Sequence, residues 1–221
     1  MKNKLLAVFL LGSFCLACLA ATAWGEDQRL EIKTNLKAKG KRIRVLVDKG
    51  PAWTHKYGLF FIGIDLSPQI AIWTEDAYGS YIETLYTTKF HDGRMEVLPY
   101  WSHRTDPKHP ELIDAVTGAT PKSDWLLTSR LNKEQDTIVV KAELNNSFDY
   151  NDYFTKDNSG VNGQPSVVYS TTVDIYNREN PYVMKLIGFG SPNGSDGTLC
   201  DEVNKLTTAK EIAKKITVEM Y

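Results

Sequence analysis

Short stretches in which apolar and polar residues alternate run through much of this chain, and they constrain its fold more than any other feature. Residues 30–36 alternate in this way, and so do residues 42–47. A period of two is typical of strands that bury one face and expose the other. Strand-forming residues return at 137–142, 166–176 and 182–187, so we expect further strands there.

Two apolar segments add to this prediction. Residues 69–74 and 81–88 are rich in β-branched and aromatic residues, and they flank a short loop that contains Gly79. This pattern predicts a β-hairpin. Residues 59–64 are continuously apolar, which predicts a central strand that is buried on both faces.

Three other segments carry different signals. Residues 91–133 have little periodicity and contain four prolines, which lack a backbone donor, so we expect an ordered long connection. Residues 145–163 are rich in Asn, Asp, Ser and Gly and are interpreted as a mobile surface loop. Thr208 and Glu211 form a capping box that predicts a short helix, followed by a closing edge strand at 216–220.

Together these patterns predict a mostly β protein. Many strands, one short C-terminal helix and no alternation of strands with helices favour an antiparallel β-sandwich of the immunoglobulin-like kind. The chain has 221 residues. Residues 26–221 are therefore long enough for one hydrophobic core, and we expect them to form a single β-rich domain.

The first 25 residues have the three parts of a secretory signal peptide. Lys2 and Lys4 precede an apolar run at 5–21, and small residues then lead to Gly25. We expect cleavage before Glu26 and a periplasmic or otherwise extracytoplasmic protein. A membrane anchor is the alternative, but no basic cluster follows the run, so we expect no stable membrane span after processing.

The leader also holds two of the three cysteines. Lipid attachment at Cys18 is the alternative to cleavage before Glu26, but it is less favoured because Cys15 stands where leucine is usual. Loss of the leader leaves Cys200 alone, which excludes an internal disulfide. It also leaves 24 basic against 27 acidic residues, so the net charge moves from −1 to −3. This near-neutral balance predicts no nucleic-acid partner.

The segment from Asp114 to Thr120 reads Asp-Ala-Val-Thr-Gly-Ala-Thr. It resembles the motif at which an extracytoplasmic flavin transferase joins flavin mononucleotide (FMN) to a threonine. The resemblance implies a phosphoester on the Thr120 hydroxyl and a cofactor site formed by Asp114, Thr117, Gly118, Ala119 and Thr120. The small residues leave room for the modifying enzyme. The alternative is a capped turn, and the direct continuation into Pro121 departs from the helix that normally follows this motif.

Several longer strings resemble a family of periplasmic proteins, the domain of unknown function 2271. They lie at 71–76, 79–85, 98–103, 114–121, 188–197 and 206–209, and thus span most of the mature chain. The resemblance implies a small secreted β-rich domain associated with extracytoplasmic redox proteins. It implies no defined enzymatic activity.

Other combinations of polar residues give weaker signals. His91, His103 and His109 lie near carboxylates, but their spacing matches no strong metal motif, so we expect no metal site. The acidic residues at 149–157 miss the EF-hand spacing and are interpreted as a solvated loop. The glycines at 188–197 are interpreted as turn residues. The chain contains no known catalytic constellation, so enzymatic activity stays undecided.

The sequence leaves two functions open. The first is an electron carrier with covalent FMN on Thr120, whose partners would be a flavin transferase and membrane redox proteins. The second is a non-enzymatic module that binds a ligand or protein without a cofactor. For this second function the candidate surface is formed by Tyr100, Trp101 and His103.

Overall fold

The computed structural model describes residues 29–59, 62–89, 95–105, 116–133, 135–177 and 181–221. The predicted signal peptide, residues 1–25, and Cys18 lie outside these ranges. The strands are β1 (Leu30–Lys33), β2 (Arg42–Lys49), β3 (His55–Leu59), β4 (Ile62–Leu66), β5 (Gln69–Glu75), β6 (Tyr81–Thr88), β7 (Thr117–Gly118), β8 (Trp125–Arg130), β9 (Thr137–Asn145), β10 (Val167–Asp174), β11 (Tyr182–Val183), β12 (Lys185–Phe189) and β13 (Ala213–Met220).

The helical elements of the described residues are all one turn long. The α-helices are α1 (Pro99–Ser102) and α2 (Lys156–Ser159). The 3-10 segments are Met95–Val97, Gly160–Asn162, Val203–Lys205 and Thr208–Glu211. None of the described helices is long and apolar enough to cross a membrane.

Two large sheets make up most of the fold. The five-stranded sheet has the order β1-β8-β2-β13-β11, and the six-stranded sheet has the order β12-β10-β9-β5-β6-β7. Neighbouring strands are antiparallel except at two edges, where β1 pairs with β8 and β6 pairs with β7 in parallel. The prediction of a mostly β, sandwich-like fold with one short helix near the C-terminus is confirmed.

The main core lies between the two sheets. Alternate residues of β2 are buried, as the sequence predicts, and they belong to one cluster with residues of β9 and β10 on the other sheet. Burial of each such aliphatic side chain contributes about 2 kcal/mol relative to exposure. Representative members of this core are Ile43, Val45, Val47, Val140, Leu144, Val167 and Val173.

A second apolar cluster covers the opposite face of the six-stranded sheet. Trp73 of β5 packs there with Leu98, Tyr100 and Trp101 of the segment around α1. The rings of Trp73 and Tyr100 are 6.0 Å apart. Because both faces of β5 are covered, six of its seven residues are buried, and the strand does not show simple alternation.

The continuous apolar run at 59–64 is not a central strand. The structure places β3 and β4 in a separate two-stranded hairpin, with Gly58 opposite Gly63. Ile64 is 46% exposed. The only turn residue in the run is Gly63, which lies within β4, so composition alone did not indicate two antiparallel strands.

The region 91–133 is more than a connection, because it contributes β8 to the interior of the five-stranded sheet. β8 lies between β1 and β2, and Trp125, Leu126 and Leu127 are buried. The prolines that argued against sheet structure all precede β8. Pro99 instead starts α1.

The predicted strand at 182–187 is divided between the two sheets. Tyr182 pairs with Val218 in the five-stranded sheet, whereas Lys185 pairs with Ser170 in the six-stranded sheet. Met184, between them, donates its backbone N–H to the Ile216 carbonyl and is 5% exposed. A period of two persists through such a change of sheet, so the sequence does not reveal it.

The segment 145–163 is not a surface loop throughout. It contains α2, and several of its polar residues are buried against the body. Asn145 donates to the carbonyls of Asn162 and Gln164, and Asn146 donates to that of Ala52. These hydrogen bonds allow a polar sequence to be buried.

The C-terminal helix is shorter than the capping box suggests. The 3-10 segment ends at Glu211, and β13 begins at Ala213. The Thr208 hydroxyl donates to Asp149 rather than capping the segment. β13 lies between β2 and the two-residue β11, so the edge prediction for 216–220 is wrong where β11 covers it.

Candidate functional site

The second half of the Asp114-to-Thr120 motif forms an edge of the six-stranded sheet. Thr117 and Gly118 make up β7 and pair in parallel with Thr87 and Thr88 of β6. The backbone N–H of Lys89 donates to the Gly118 carbonyl at 2.8 Å. Asp114 lies outside the described residues.

The side chain of Tyr86 packs against this edge of the sheet. A Cβ on Gly118 would lie 3.1 Å from the Tyr86 ring, so the glycine allows the close approach of ring and backbone. The Tyr86 hydroxyl donates to the Ala119 carbonyl at 2.8 Å. Burial raises the pKa of Tyr86, which therefore remains a protonated donor. Its ring packs against Trp125 with centroids 5.0 Å apart.

Thr120 follows at the surface. Its side chain is half-buried next to an exposed Ala119, and its hydroxyl donates to the Pro68 carbonyl at 2.8 Å. The next residue is fixed as well, because the buried Trp53 indole donates to the Pro121 carbonyl at 2.9 Å. The backbone on each side of Thr120 thus has its own hydrogen bond to the body of the protein.

A flavin phosphate fits this arrangement with one rearrangement. Esterification removes the Thr120 hydroxyl proton, so the hydrogen bond to Pro68 is lost. The bonds from Tyr86 to Ala119 and from Trp53 to Pro121 do not involve that oxygen and hold the turn in place. The segment after Pro121 continues into β8, in agreement with the missing helix of the sequence motif.

The histidines do not form a metal site in the described part of the chain. His103 is the C-cap residue of α1, and its Nδ1 lies 2.9 Å from the Pro99 carbonyl oxygen. His91 and His109 lie outside the described ranges. Among the residues that are described, no three His, Cys, Asp or Glu side chains are close enough to hold a metal ion.

The aromatic surface predicted around α1 is buried. Tyr100 is 5% exposed and Trp101 is fully buried, where its indole donates to the Thr84 hydroxyl. Glu143, also fully buried, accepts the backbone N–H groups of both residues at 3.1 and 2.6 Å. The residues of α1 therefore attach this layer to the sheet and do not offer an aromatic binding face.

A second buried carboxylate reinforces the same layer. Glu75 accepts the Trp73 indole and forms ion pairs with Lys141 at 2.6 Å and with Arg104 at 3.5 Å. The Arg104 guanidinium also lies 3.4 Å from the centre of the Tyr100 ring. Because partners surround these charges, we assign them to packing of the layer rather than to catalysis.

The glycine-rich segment at 188–197 is structural. A Cβ on Gly197 would lie 2.5 Å from the His103 Cβ, and one on Gly194 would lie 2.3 Å from the Glu96 carbonyl oxygen. These glycines let the segment pack against the chain around α1. Cys200 is free and half-buried, and it pairs with Phe189 through backbone hydrogen bonds.

Sequence reasoning missed a cleft of about 240 Å³ on another part of the molecule. Three segments line this Asp149 cleft: the start of β3 with His55 and Lys56, the loop after β9 with Asp149, and the 3-10 segment with Thr208 and Glu211. His55 received no role from the sequence, and Asp149 was interpreted as part of a solvated loop. Asp149 is in fact only 7% exposed.

Asp149 is held rigidly at this cleft. Its Oδ2 accepts hydrogen bonds from Gln164 Nε2 at 3.0 Å and from the Thr208 hydroxyl at 2.6 Å. Gly163 packs so closely on the Asp149 backbone that a Cβ would lie 2.4 Å from its nitrogen. The preceding Phe148 has a φ of 64°, which is rare for a bulky residue, and its ring stacks on Tyr57.

Comparisons with family models, with curated proteins and with solved structures gave no match. Inference about function therefore depends on the geometry of these sites.

Proposed function

We propose that this protein is an extracytoplasmic β-sandwich protein that carries FMN on Thr120 and serves as an electron carrier. The observation that supports the proposal is the position of Thr120 at the surface, in a turn whose neighbouring carbonyls are fixed by Tyr86 and Trp53. An attachment point of this kind holds a cofactor at a defined place while leaving it accessible to partners.

The modification is a transfer to the Thr120 oxygen. The Thr120 hydroxyl oxygen forms a bond with the flavin-side phosphorus of a flavin dinucleotide donor, and the P–O bond of the diphosphate breaks. A nucleoside monophosphate leaves, and the hydroxyl proton is released to solvent. The side chain must first turn away from Pro68, since its hydroxyl otherwise donates there. The bound flavin would supply one- and two-electron transfer. Thr120 holds it by a covalent bond, and Gly118 keeps the neighbouring backbone free of a side chain.

The proposal is tested by the mass of the intact protein. Co-expression with a flavin transferase and export to the periplasm should add one FMN to the chain and colour the protein yellow. Thr120→Val should abolish both changes, whereas Thr120→Ser should retain them because the hydroxyl is kept. Thr172→Val, which removes an exposed threonine hydroxyl of β10, is the matched control and should be modified like the wild type.

An unshifted mass of the wild-type protein with an active transferase would contradict the proposal. So would full modification of Thr120→Val, because the phosphoester would then lie on another residue.

The alternative from the sequence, a ligand-binding module without a cofactor, is favoured by one specific observation. The Asp149 cleft offers a fixed carboxylate next to open space, and it shares no lining residue with the Thr120 turn.

A further inference from the structure

We infer that the Asp149 cleft binds a small organic cation that carries a protonated amine. This inference does not depend on flavin attachment, because the two sites use different residues. Four features of the cleft favour such a ligand: the hydrogen-bond capacity of Asp149, a second acceptor in the lining, the charges of the lining and the size of the cleft.

Only one of the two carboxylate oxygens of Asp149 accepts hydrogen bonds from the described residues. Gln164 and Thr208 both donate to Oδ2, as described above, and Gln164 is itself fixed by the backbone N–H of Thr207. The nearest partner of Oδ1 is His55 Nδ1, at 3.9 Å, which is too long for a hydrogen bond. The Asp149 side chain is nevertheless 90% buried, since its exposed fraction is 10%.

Oδ1 has no donor within hydrogen-bond distance among the described residues, although the side chain that carries it is largely buried. Such an oxygen is unfavourable unless water or a ligand satisfies it. Oδ1 belongs to a residue that lines open space, so a ligand can supply the missing donor. An N–H group on a cation is the strongest such donor, because hydrogen bonds between charged groups are about twice as strong as neutral ones.

Asn146 provides a second acceptor in the same lining. Its amide nitrogen donates to the Ala52 carbonyl at 2.6 Å, and its Oδ1 has no hydrogen-bond partner among the described residues. Asn146 is only 2% exposed. The lining therefore contains one charged and one neutral acceptor, and a primary ammonium has three N–H donors.

The lining favours an organic cation over a metal ion. His55, Asp149 and Glu211 contribute a ring nitrogen and two carboxylates, but within the described residues they are not close enough together to coordinate a metal. The cleft is also smaller than the range of about 300–1,000 Å³ typical of sites for drug-sized ligands. A ligand of a few heavy atoms fits it.

The charge of Lys56 allows the charge of the bound ligand to be tested. Lys56 is exposed and lines the same cleft, so its ammonium repels a bound cation. Removal of this charge should therefore tighten the binding of a cation. A purely structural role of the cleft would not produce this change.

The experiment is an amide-resonance titration of the full mature protein with ethylammonium, and with ethanol and acetate as neutral and anionic probes. Ethylammonium should shift resonances around Asp149 and Thr208 in a saturable way, and the other two probes should not. Asp149→Asn should weaken this binding about tenfold or more, through loss of a charge-assisted hydrogen bond. Asp152→Asn removes an exposed charge from the same loop and is the matched control.

Lys56→Gln keeps the inference testable if Asp149→Asn fails to fold, because Lys56 is exposed. It should bind ethylammonium more tightly than the wild type does. Three results would overturn the inference: shifts that do not saturate, equal weakening in Asp152→Asn, or weaker ethylammonium binding in Lys56→Gln. Flavin attachment at Thr120 is read independently by mass, so failure of one proposal leaves the other measurable.

Discussion

The two oxygens of Glu143 are shared among three donors, the backbone N–H groups of Tyr100 and Trp101 and the Ser166 hydroxyl. Burial raises the pKa of Glu143 to about 7, although these hydrogen bonds and nearby Arg104 act in the opposite direction. The charge of this side chain therefore changes near neutral pH while it holds α1 on the sheet.

The sign of the resulting pH dependence follows from linkage. The pKa of Glu143 is higher in the folded protein than its ordinary value of 4.5, so the folded state binds more protons between pH 4.5 and about 7. The contribution of Glu143 to the free energy of unfolding is thus largest below pH 4.5 and falls as the pH rises to about 7.

We predict that Glu143→Gln removes this slope, which is at most about 1.4 kcal/mol per pH unit for one proton. The measurement is urea unfolding at several pH values between 5 and 8, with slopes compared instead of absolute stabilities, because Gln also loses an acceptor. The exposed Glu211→Gln variant should keep the wild-type slope. Equal slopes in Glu143→Gln and the wild type would show that Glu143 is ionised throughout this range.

At the same scale, the sequence could indicate Thr120 but not Asp149. The motif around Thr120 is local, so it can be read from consecutive residues. The Asp149 cleft unites His55, Asp149 and Thr208 from three distant segments, and the hydrogen bonds that fix Asp149 exist only after folding. Its polar composition indicated a loop and gave no measure of burial.

Single elements followed the sequence where one face is buried and one is exposed. The pattern predicted β2 and the β5–β6 hairpin, because periodicity and turn residues are local properties. It failed at β3 and β4, where one apolar run extends across the ends of two strands, and at β8, which follows a proline-rich stretch. The pattern also predicted one strand where the structure has β11 and β12, because alternation does not indicate to which sheet a strand belongs.

The contact between the glycine-rich segment and α1 gives a prediction about one element. A Cβ on Gly190 would lie 2.7 Å from Ser166 Oγ, 2.9 Å from Pro99 Cγ and 3.0 Å from Glu143 Oε1. Gly190→Ala should therefore destabilise the protein by about 1–3 kcal/mol, as overpacking does.

The matched control is Gly63→Ala in β4, where no atom lies within 4 Å of the added Cβ. It should change stability by less than about 1 kcal/mol. Both values come from thermal or urea unfolding. Loss of Trp101 burial, seen as a red-shifted tryptophan emission, should accompany only the Gly190 variant. An unchanged stability of Gly190→Ala would mean that α1 moves away without loss.

On the scale of the whole molecule, Met184 ties the two sheets together where the chain leaves β11 and enters β12. Its side chain is buried in the core between the sheets, and its N–H donates to Ile216 of β13. The sheets thus share both a core and a continuous strand segment. We expect them to unfold together.

We predict that Met184→Ala lowers the free energy of unfolding by about 2–5 kcal/mol, the usual effect of truncating a buried side chain. Unfolding should remain a single transition. Val183→Ala, at a neighbouring site that is 48% exposed, should have a much smaller effect. Circular dichroism and tryptophan fluorescence should give the same transition for each variant. Two separate transitions would show that the sheets are independent units.

The pairing of β2 with β13 has a kinetic consequence. It places Ile43 opposite Met220, so two strands that are close to opposite ends of the sequence pair within the five-stranded sheet. Proteins dominated by contacts between distant residues fold slowly, in milliseconds to seconds, because the chain must close large loops first. Slow folding of this kind would suit the export predicted from residues 1–25, because a chain that folds late is still extended when it reaches a translocation channel.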